Sequence, residues 1–291
     1  MVGPKFPRLR LKPITISKPK AKPEKVKEEK PRKEEIQPRA EKEKAGVIEI
    51  EQPGVGAKFF ERVPSGINGL DELITGGFEK ESTILVCGDA GSGKSTFALQ
   101  FLYNGAVAHN EPGVYISFTE SKENVYRHTR SFGWDFEKLE KEKKFAFVFY
   151  KPHEVVKLVK EGGGTIRDTI ESLGAKRVVL DSVTAYALLF DSEYRARESI
   201  IELFDMLKNW KCTSLVVSEV PVTHDESPAS GVKYLVDTIL ILYHTREESA
   251  RTRALEVLKM RGSAHSNRFC PFRFEKDGIH IYSREQVFER V

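Results

Sequence analysis

Residues 88–96 read Gly88-Asp89-Ala90-Gly91-Ser92-Gly93-Lys94-Ser95-Thr96. A glycine, four residues, then Gly-Lys-Ser is the pattern of a phosphate-binding P-loop. The flanking sequence agrees. Thr83-Ile84-Leu85-Val86-Cys87 reads as a short buried strand, and Phe97, Ala98, Leu99, Phe101 and Leu102 read as a buried helix. Each residue type has a physical task. The glycines let backbone N–H groups close around phosphate oxygens, and the new helix adds its positive N-terminal end. Lys94 is placed to neutralise the β- and γ-phosphates, and the Ser95 hydroxyl to bind Mg²⁺. A glycine-rich turn that binds nothing would not need strand, loop, Lys-Ser pair and helix together.

The chain has 291 residues, 40% apolar and 31% charged, enough for one large or two ordinary domains. No run of 18 apolar residues occurs, so no membrane span is expected. The N-terminus has basic residues without an apolar segment, so no secretory signal is expected. Cys87, Cys212 and Cys270 lie far apart and form no C-x-x-C. That argues against a disulfide framework or a zinc site and fits a reducing cytoplasm. The seven histidines are scattered, so no metal site built by the protein alone is expected.

Residues 1–57 differ in kind from the rest. Eight of the 14 prolines fall there, with 15 Lys/Arg against 9 Asp/Glu, a net of +6 that leaves −2 for the remainder. Apolar residues are too sparse to offset the entropy of ordering, so a disordered tail is expected, followed by a folded domain over 58–291. Such a tail is either a solubilising segment or an arm for nucleic acid or an acidic partner. The pairs Glu28-Glu29 and Glu34-Glu35 interrupt its basic run and disfavour the second reading.

Past the P-loop, strands are expected at Gly113–Phe118, Phe145–Tyr150, Arg177–Asp181, Ser214–Glu219 and Leu235–Tyr243. Between them, helices are expected around Asn124–Phe132, His153–Lys160, Thr165–Leu173 and along the face Ile200, Leu203, Phe204, Leu207, Trp210. Gly162-Gly163-Gly164 lacks a following Lys-Ser/Thr and reads as a helix join. This alternation predicts an α/β fold: a mainly parallel twisted sheet, helices on both faces, and ligands at the C-terminal strand ends. Asp181 ends an apolar strand. It is either the aspartate that holds the Mg²⁺ hydration shell beside Ser95, which the P-loop favours, or a turn cap with Ser182. Glu120 follows another strand end, as a candidate base for an attacking water or as a surface residue near a helix cap.

The lead-in segment Gly66-Ile67-Asn68-Gly69-Leu70-Asp71-Glu72-Leu73-Ile74-Thr75-Gly76-Gly77, read as a helix capped by Ser65, stands just before the P-loop strand. It resembles the segment that opens the KaiC-like ATPases of the RecA superfamily. Leu255-Glu256-Val257-Leu258-Lys259-Met260-Arg261-Gly262-Ser263-Ala264-His265 resembles that family's L-x-[IV]-L-K-x-R-G-[ST]-x-H signature. Phe272-Arg273-Phe274 and Gly278-Ile279-His280-Ile281 resemble its closing hairpin. Several separated motifs in the right order, spanning about residues 60–282, identify the chain as a single-domain, archaeal-type member of that family.

The resemblance implies a RecA-like core with a C-terminal antiparallel β extension, Mg²⁺-dependent ATP hydrolysis and a homo-oligomer, namely a hexameric ring. It implies that residues 88–96 cradle ATP, that Ser95 and Asp181 serve the metal, and that Ser218-Glu219 sense the γ-phosphate. Lys259 and Arg261, joined by His265, would then touch nucleotide on the neighbouring subunit. By alternation Lys259 and Arg261 share one side of a strand, as fingers or as a solvated basic edge. Where the family carries Phe-Glu-Glu, this chain has Phe118-Thr119-Glu120, which leaves one acid for the water and implies slow turnover. Two other readings stay open. One is a DNA-dependent recombinase-like ATPase, which the acidic loop 221–230 disfavours. The other is a non-hydrolysing switch or scaffold for a protein client.

Overall fold

A computed structural model describes residues 61–219, 232–247 and 250–285. The expected disordered tail and the loop 221–230 lie outside the described residues.

Strands β1 (Arg62–Val63) and β2 (Phe78–Glu79) pair antiparallel and bracket the lead-in segment. The helix expected from Ser65 does not form. Residues 69–76 are consecutive turns, because Gly69 adopts φ +82° and a right-handed helix cannot pass through it. A Cβ there would lie 2.0 Å from the Ile281 carbonyl oxygen, so only glycine admits this approach. Ser65 still caps locally, its hydroxyl accepting from the Ile67 N–H at 3.1 Å. The apolar face itself is real. Ile67, Leu70, Leu73 and Ile74 are buried with Phe97, Phe101 and Leu102.

The chain then runs β3 (Thr83–Gly88), α1 (Lys94–Ala108), β4 (Gly113–Ser117) and α2 (Lys122–Thr129). A 3₁₀ turn (Arg130–Phe132) closes α2 before Gly133. A short helix that the sequence reading does not anticipate, α3 (Phe136–Lys141), follows; the Asp135 side chain caps it by accepting from the Lys138 N–H at 2.9 Å. Next come β5 (Phe145–Phe149), α4 (Pro152–Lys160), α5 (Gly164–Leu173), β6 (Arg177–Asp181), α6 (Val183–Ala187), α7 (Glu193–Asn209) and β7 (Thr213–Ser218). The triple glycine joins α4 to α5, as expected. The last elements are α8 (Val232–Leu235), β8 (Thr238–Glu247), β9 (Ala250–Met260), β10 (Cys270–Glu275) and β11 (Gly278–Ile281). Two boundaries move. Leu235 belongs to α8 and Asp237 precedes β8 rather than lying within a strand. Arg246 and Glu247, beyond the expected end at Tyr243, extend β8, because Arg246 pairs with Arg251 and Glu247 with Ala250.

Nine strands form one sheet in the order β11-β10-β9-β8-β3-β7-β6-β4-β5. β8, β3, β7, β6, β4 and β5 are parallel, and β9, β10 and β11 extend the sheet antiparallel. Successive side chains alternate between two cores. Ile84, Val86, Val179 and Val217 pack on the face covered by α1, while Leu85, Cys87, Val178 and Val216 pack beneath α5 and α7. The register aligns the strand ends: Gly88 lies opposite Leu242, Cys87 opposite Ser218, and Asp181 opposite both Val217 and Ser117. That edge is where ligands of open parallel sheets bind.

Arg177, at the opposite end of β6, is wholly buried. It donates to Glu111 at 2.6 Å, to the Phe101 carbonyl at 2.8 Å and to the Pro64 carbonyl at 2.9 Å, with its guanidinium 4.5 Å from the Phe101 ring centre. One side chain thus ties β6 to α1 and the lead-in segment. Replacing Arg177 by Met strands a carboxylate and two carbonyls. We expect a loss of about 3 kcal/mol in denaturant-induced unfolding, the scale of a broken buried pair; an unchanged midpoint would show that Arg177 is not a structural tie.

Candidate functional site

The loop 88–93 spans the end of β3 and the start of α1. Gly93 is the N-cap of α1 at φ +103°, and a Cβ there would sit 2.7 Å from Phe274 Cζ. The left-handed turn aims the first N–H groups of α1 into the loop. Lys94 is almost fully buried, and its Nζ donates to the Gly88 and Asp89 carbonyls, both at 2.8 Å. Burial lowers its pKa, while Glu219, Asp181 and Asp89 act in the opposite sense. The buried Ser92 Oγ has no hydrogen-bond partner among the described residues.

Asp181 is 6% exposed at the end of β6. The Tyr115 hydroxyl donates to its Oδ2 at 2.7 Å, and Ser95 lines the same small cavity as Tyr115. Burial raises the Asp181 pKa; Ser95, Tyr115 and the Lys94 charge oppose that rise. The cap of α6 is Ser182, whose hydroxyl accepts from the Ala185 N–H at 3.4 Å, while the Asp181 carboxylate faces Tyr115.

Glu120 follows β4. Its N–H donates to Ser117 Oγ at 3.0 Å, and Ser117 Oγ donates to the Glu120 carbonyl at 2.8 Å, so the tight turn fixes the backbone. Its carboxylate is about half exposed and lies 3.7 Å from His128 Nδ1. A cavity of about 150 Å³ is lined by Ser95, Thr96, Tyr115, Glu120 and His128, among others, which brings the candidate base to the start of α1. At the end of β7, between β3 and β6, the Thr184 hydroxyl accepts from the Glu219 N–H at 2.9 Å and lies 3.4 Å from Ser218 Oγ.

Lys259 and Arg261 are elsewhere. Lys259 pairs with Ile239, which lies opposite Leu85 near the start of β3, three residues or about 10 Å along the strand from Gly88. Lys259 Nζ donates to the carbonyls of Lys233 at 2.9 Å and Val236 at 2.7 Å. Arg261 donates to the Tyr234 carbonyl at 2.8 Å and lies 3.5 Å from Asp237 Oδ1. Burial, then the neighbouring Arg261 charge, lowers the Lys259 pKa. The two cations do share a side, as alternation requires, but at the end of the sheet opposite their own P-loop. His265 sits in the loop after β9, its Nδ1 3.2 Å from the Ser266 carbonyl oxygen. That loop is docked on the lead-in segment by Ser266 N–H to the Leu73 carbonyl, 2.9 Å, and Thr75 hydroxyl to the Ala264 carbonyl, 2.6 Å.

The structure adds residues that the sequence reading missed. β8 and β9 bring His244 and Arg253, a register pair, against the P-loop. Arg253 donates to the Gly91 carbonyl at 3.4 Å and lies 4.9 Å from the Phe274 ring centre, with its buried Nε unpartnered among the described residues. A Cβ on Gly91 would lie 3.7 Å from His244 Nδ1. Burial, with Arg253 and Arg251, lowers the His244 pKa. Only the β8–β9 register could have pointed to them. Tyr115 was legible merely as a core strand residue. The donors fit an anionic, metal-bearing ligand: an orphaned hydroxyl and an orphaned guanidinium nitrogen, a half-open helix N-terminus, and oxygen groups from Ser95 and Asp181 suited to a hard cation.

Comparison with known proteins gives the same picture. The family model "ATPase: KaiC" matches residues 63–286. The UPF0273 protein of Methanocaldococcus jannaschii is 33% identical over 234 residues, 76% of this chain and 96% of that protein. The UPF0273 protein of Thermotoga maritima is 37% identical over 237 residues, 77% of this chain and 97% of that protein. The circadian clock oscillator protein KaiC of Synechococcus elongatus is 34% identical over 74% of this chain, which spans only 43% of that longer protein. The crystal structure of a KaiC-like protein from Pyrococcus horikoshii superposes with a TM-score of 0.69 at 33% identity, covering 77% of this chain and 100% of that one.

A methyl group at residue 93 must meet the Phe274 ring and a left-handed backbone. Gly93→Ala should therefore weaken binding of a fluorescent ATP analogue by about tenfold or more, the scale of 1–3 kcal/mol of local strain. Retained affinity in a folded variant would show that the loop does not depend on this turn.

Proposed function

The chain belongs to the KaiC ATPase family, and on that premise we propose that it binds ATP with Mg²⁺ at residues 88–96 and hydrolyses it to ADP and phosphate. The observation that carries this reading is the convergence of Lys94, Ser95, Asp181 and Glu120 on one edge of the parallel sheet. The backbone of Gly88, Asp89, Ala90, Gly91, Ser92, Gly93 and Thr96 encloses the phosphates. Lys94 gives up its carbonyl partners to neutralise them. Ser95 and Asp181 would hold Mg²⁺, which when bound neutralises charge between the outer phosphates. Glu120 orients a water and accepts its proton as the water oxygen bonds the γ-phosphorus and the bond to the ADP oxygen breaks. His128 Nδ1 stands 3.7 Å from the Glu120 carboxylate.

Three finer points belong to the same proposal. Thr119 in place of a second acid makes turnover slow. Lys259 and Arg261, with His265, serve the site of an adjacent copy as charge-stabilising fingers; their distance from their own P-loop supports action in trans. Heterologous contacts of that kind close into rings, so the working assembly is a homo-oligomeric, hexameric one that couples nucleotide state to conformation or to a client. A DNA-tracking channel gains no support: Leu188 and Leu189 are exposed after α6, and Arg195 there is paired with Asp191 at 3.3 Å. Among the described residues no helix is long and apolar enough to cross a membrane.

Steady-state Mg·ATP hydrolysis by wild type, Glu120→Gln and Lys94→Ala tests the chemistry. We expect Glu120→Gln to lose about 10²-fold or more, the scale of a lost general base, with Lys94→Ala setting the background. Wild type that binds ATP yet is as silent as Lys94→Ala would instead favour the switch reading. Sharing of sites is tested by co-expressing Lys94→Ala with Arg261→Ala. Each alone should be inactive, and mixed rings should recover about one quarter of wild-type activity, the statistical share of sites with both groups intact across a heterologous contact. No recovery would remove Arg261 from the neighbouring site.

A further inference from the structure

We propose that Tyr115 is a positioning residue for the metal end of this site: its phenol holds one oxygen of the Asp181 carboxylate and so fixes how the carboxylate is presented to a metal ion. The inference rests on the ATPase reading above and extends it to a residue outside every motif that suggested that reading.

The sequence places Tyr115 in the middle of a strand that would pack as well with phenylalanine. Its ring does pack that way, stacked on Phe147 at 5.7 Å and 23° and buried to 2% exposure. The hydroxyl is what packing does not explain. A phenolic O–H taken out of water costs free energy unless it finds a partner, and this one finds a buried carboxylate at 2.7 Å. The register makes the meeting obligatory. Tyr115 lies opposite Val179 on β6, two residues before Asp181 and therefore on the same face.

The contact has a consequence for the order of events at the site. The Tyr115 hydroxyl donates to Asp181 Oδ2 at 2.7 Å, and neither the P-loop nor a ligand takes part in that bond. When Ser95 and Asp181 turn toward Mg²⁺, the Tyr115 bond has no need to break. It keeps the carboxylate in one orientation before and after the metal arrives. Groups that orient a metal's outer ligands in this way typically govern metal affinity by 10–100-fold.

The experiment uses the full chain and reads nucleotide binding rather than turnover. A fluorescent ATP analogue is titrated without metal, and again at fixed nucleotide with increasing Mg²⁺, for wild type, Tyr115→Phe, Asp181→Asn and the double variant. Tyr115→Phe keeps the ring and its stack on Phe147. We expect its metal-free nucleotide affinity to match wild type, which also shows that the variant is folded, while half-saturating Mg²⁺ rises about tenfold or more. In the Asp181→Asn background the same change should add little, because the two residues act as one unit. An unchanged Mg²⁺ requirement in Tyr115→Phe, or an equal increment with and without Asp181, would overturn the proposal while leaving the ATPase reading intact. A wild type that binds the analogue no better than Lys94→Ala would overturn both.

Discussion

The carboxylate of Asp181 lies buried at the end of a central strand, where an unpartnered charge would cost several kcal/mol. It is held there by the Tyr115 phenol from β4 and by the field of Lys94 from the first residue of α1. None of these contacts survives a slip of register. Moving β6 by one residue relative to β4 would turn Asp181 into the opposite core, among Leu85, Val178 and Leu180. The alignment of parallel strands is therefore fixed at this end by polar chemistry as well as by apolar packing.

The opposite end of the sheet is closed differently. Arg177 starts the same strand that Asp181 finishes, and it too is buried, but its partners are Glu111 and two carbonyls that bear no catalytic groups. A five-residue strand thus carries a buried charge at each end, Arg177 fastening helices and Asp181 beside the P-loop, separated by Val178, Val179 and Leu180, all buried. The division follows from the fold. Loops after parallel strands gather where helix N-termini point, so anion chemistry collects there, and the other end is left to fasten helices to the sheet.

Much of this was legible. The P-loop, its strand and helix, the ends of β4, β6 and β7, and the face on which Ile67, Leu70, Leu73 and Ile74 are buried all follow from local periodicity and one motif. The failures share a cause. Gly69 was read as a helix position because its neighbours have helical spacing, yet the close approach of the Ile281 carbonyl, more than two hundred residues away, decides its conformation. The expected strand stops at Tyr243, one residue short of His244; that His244 and Arg253 face the P-loop depends on the pairing of β8 with both β3 and β9. Tyr115 carries no motif, and its hydroxyl acquires a role only once β4 lies beside β6. Short-range pattern gave elements, whereas the missing site residues are products of register.

The resting positions of Lys259 and Arg261 follow the same logic. Two cations at the end of β9 face the carbonyls of Lys233, Tyr234 and Val236, around the C-terminal turn of α8, where the helix leaves acceptors without internal partners. Each charged donor to a carbonyl there contributes about 1.5–3 kcal/mol, enough to order both side chains in an isolated copy. A phosphate would be a stronger acceptor than a carbonyl, because it bears full negative charge and bonds are shorter and stronger when both partners are ionised. Exchange of one for the other would leave the end of α8 uncapped. The signature around Lys259 and Arg261 thus joins a cation pair to α8, and any anion that engages those cations competes with the α8 carbonyls for the same donors.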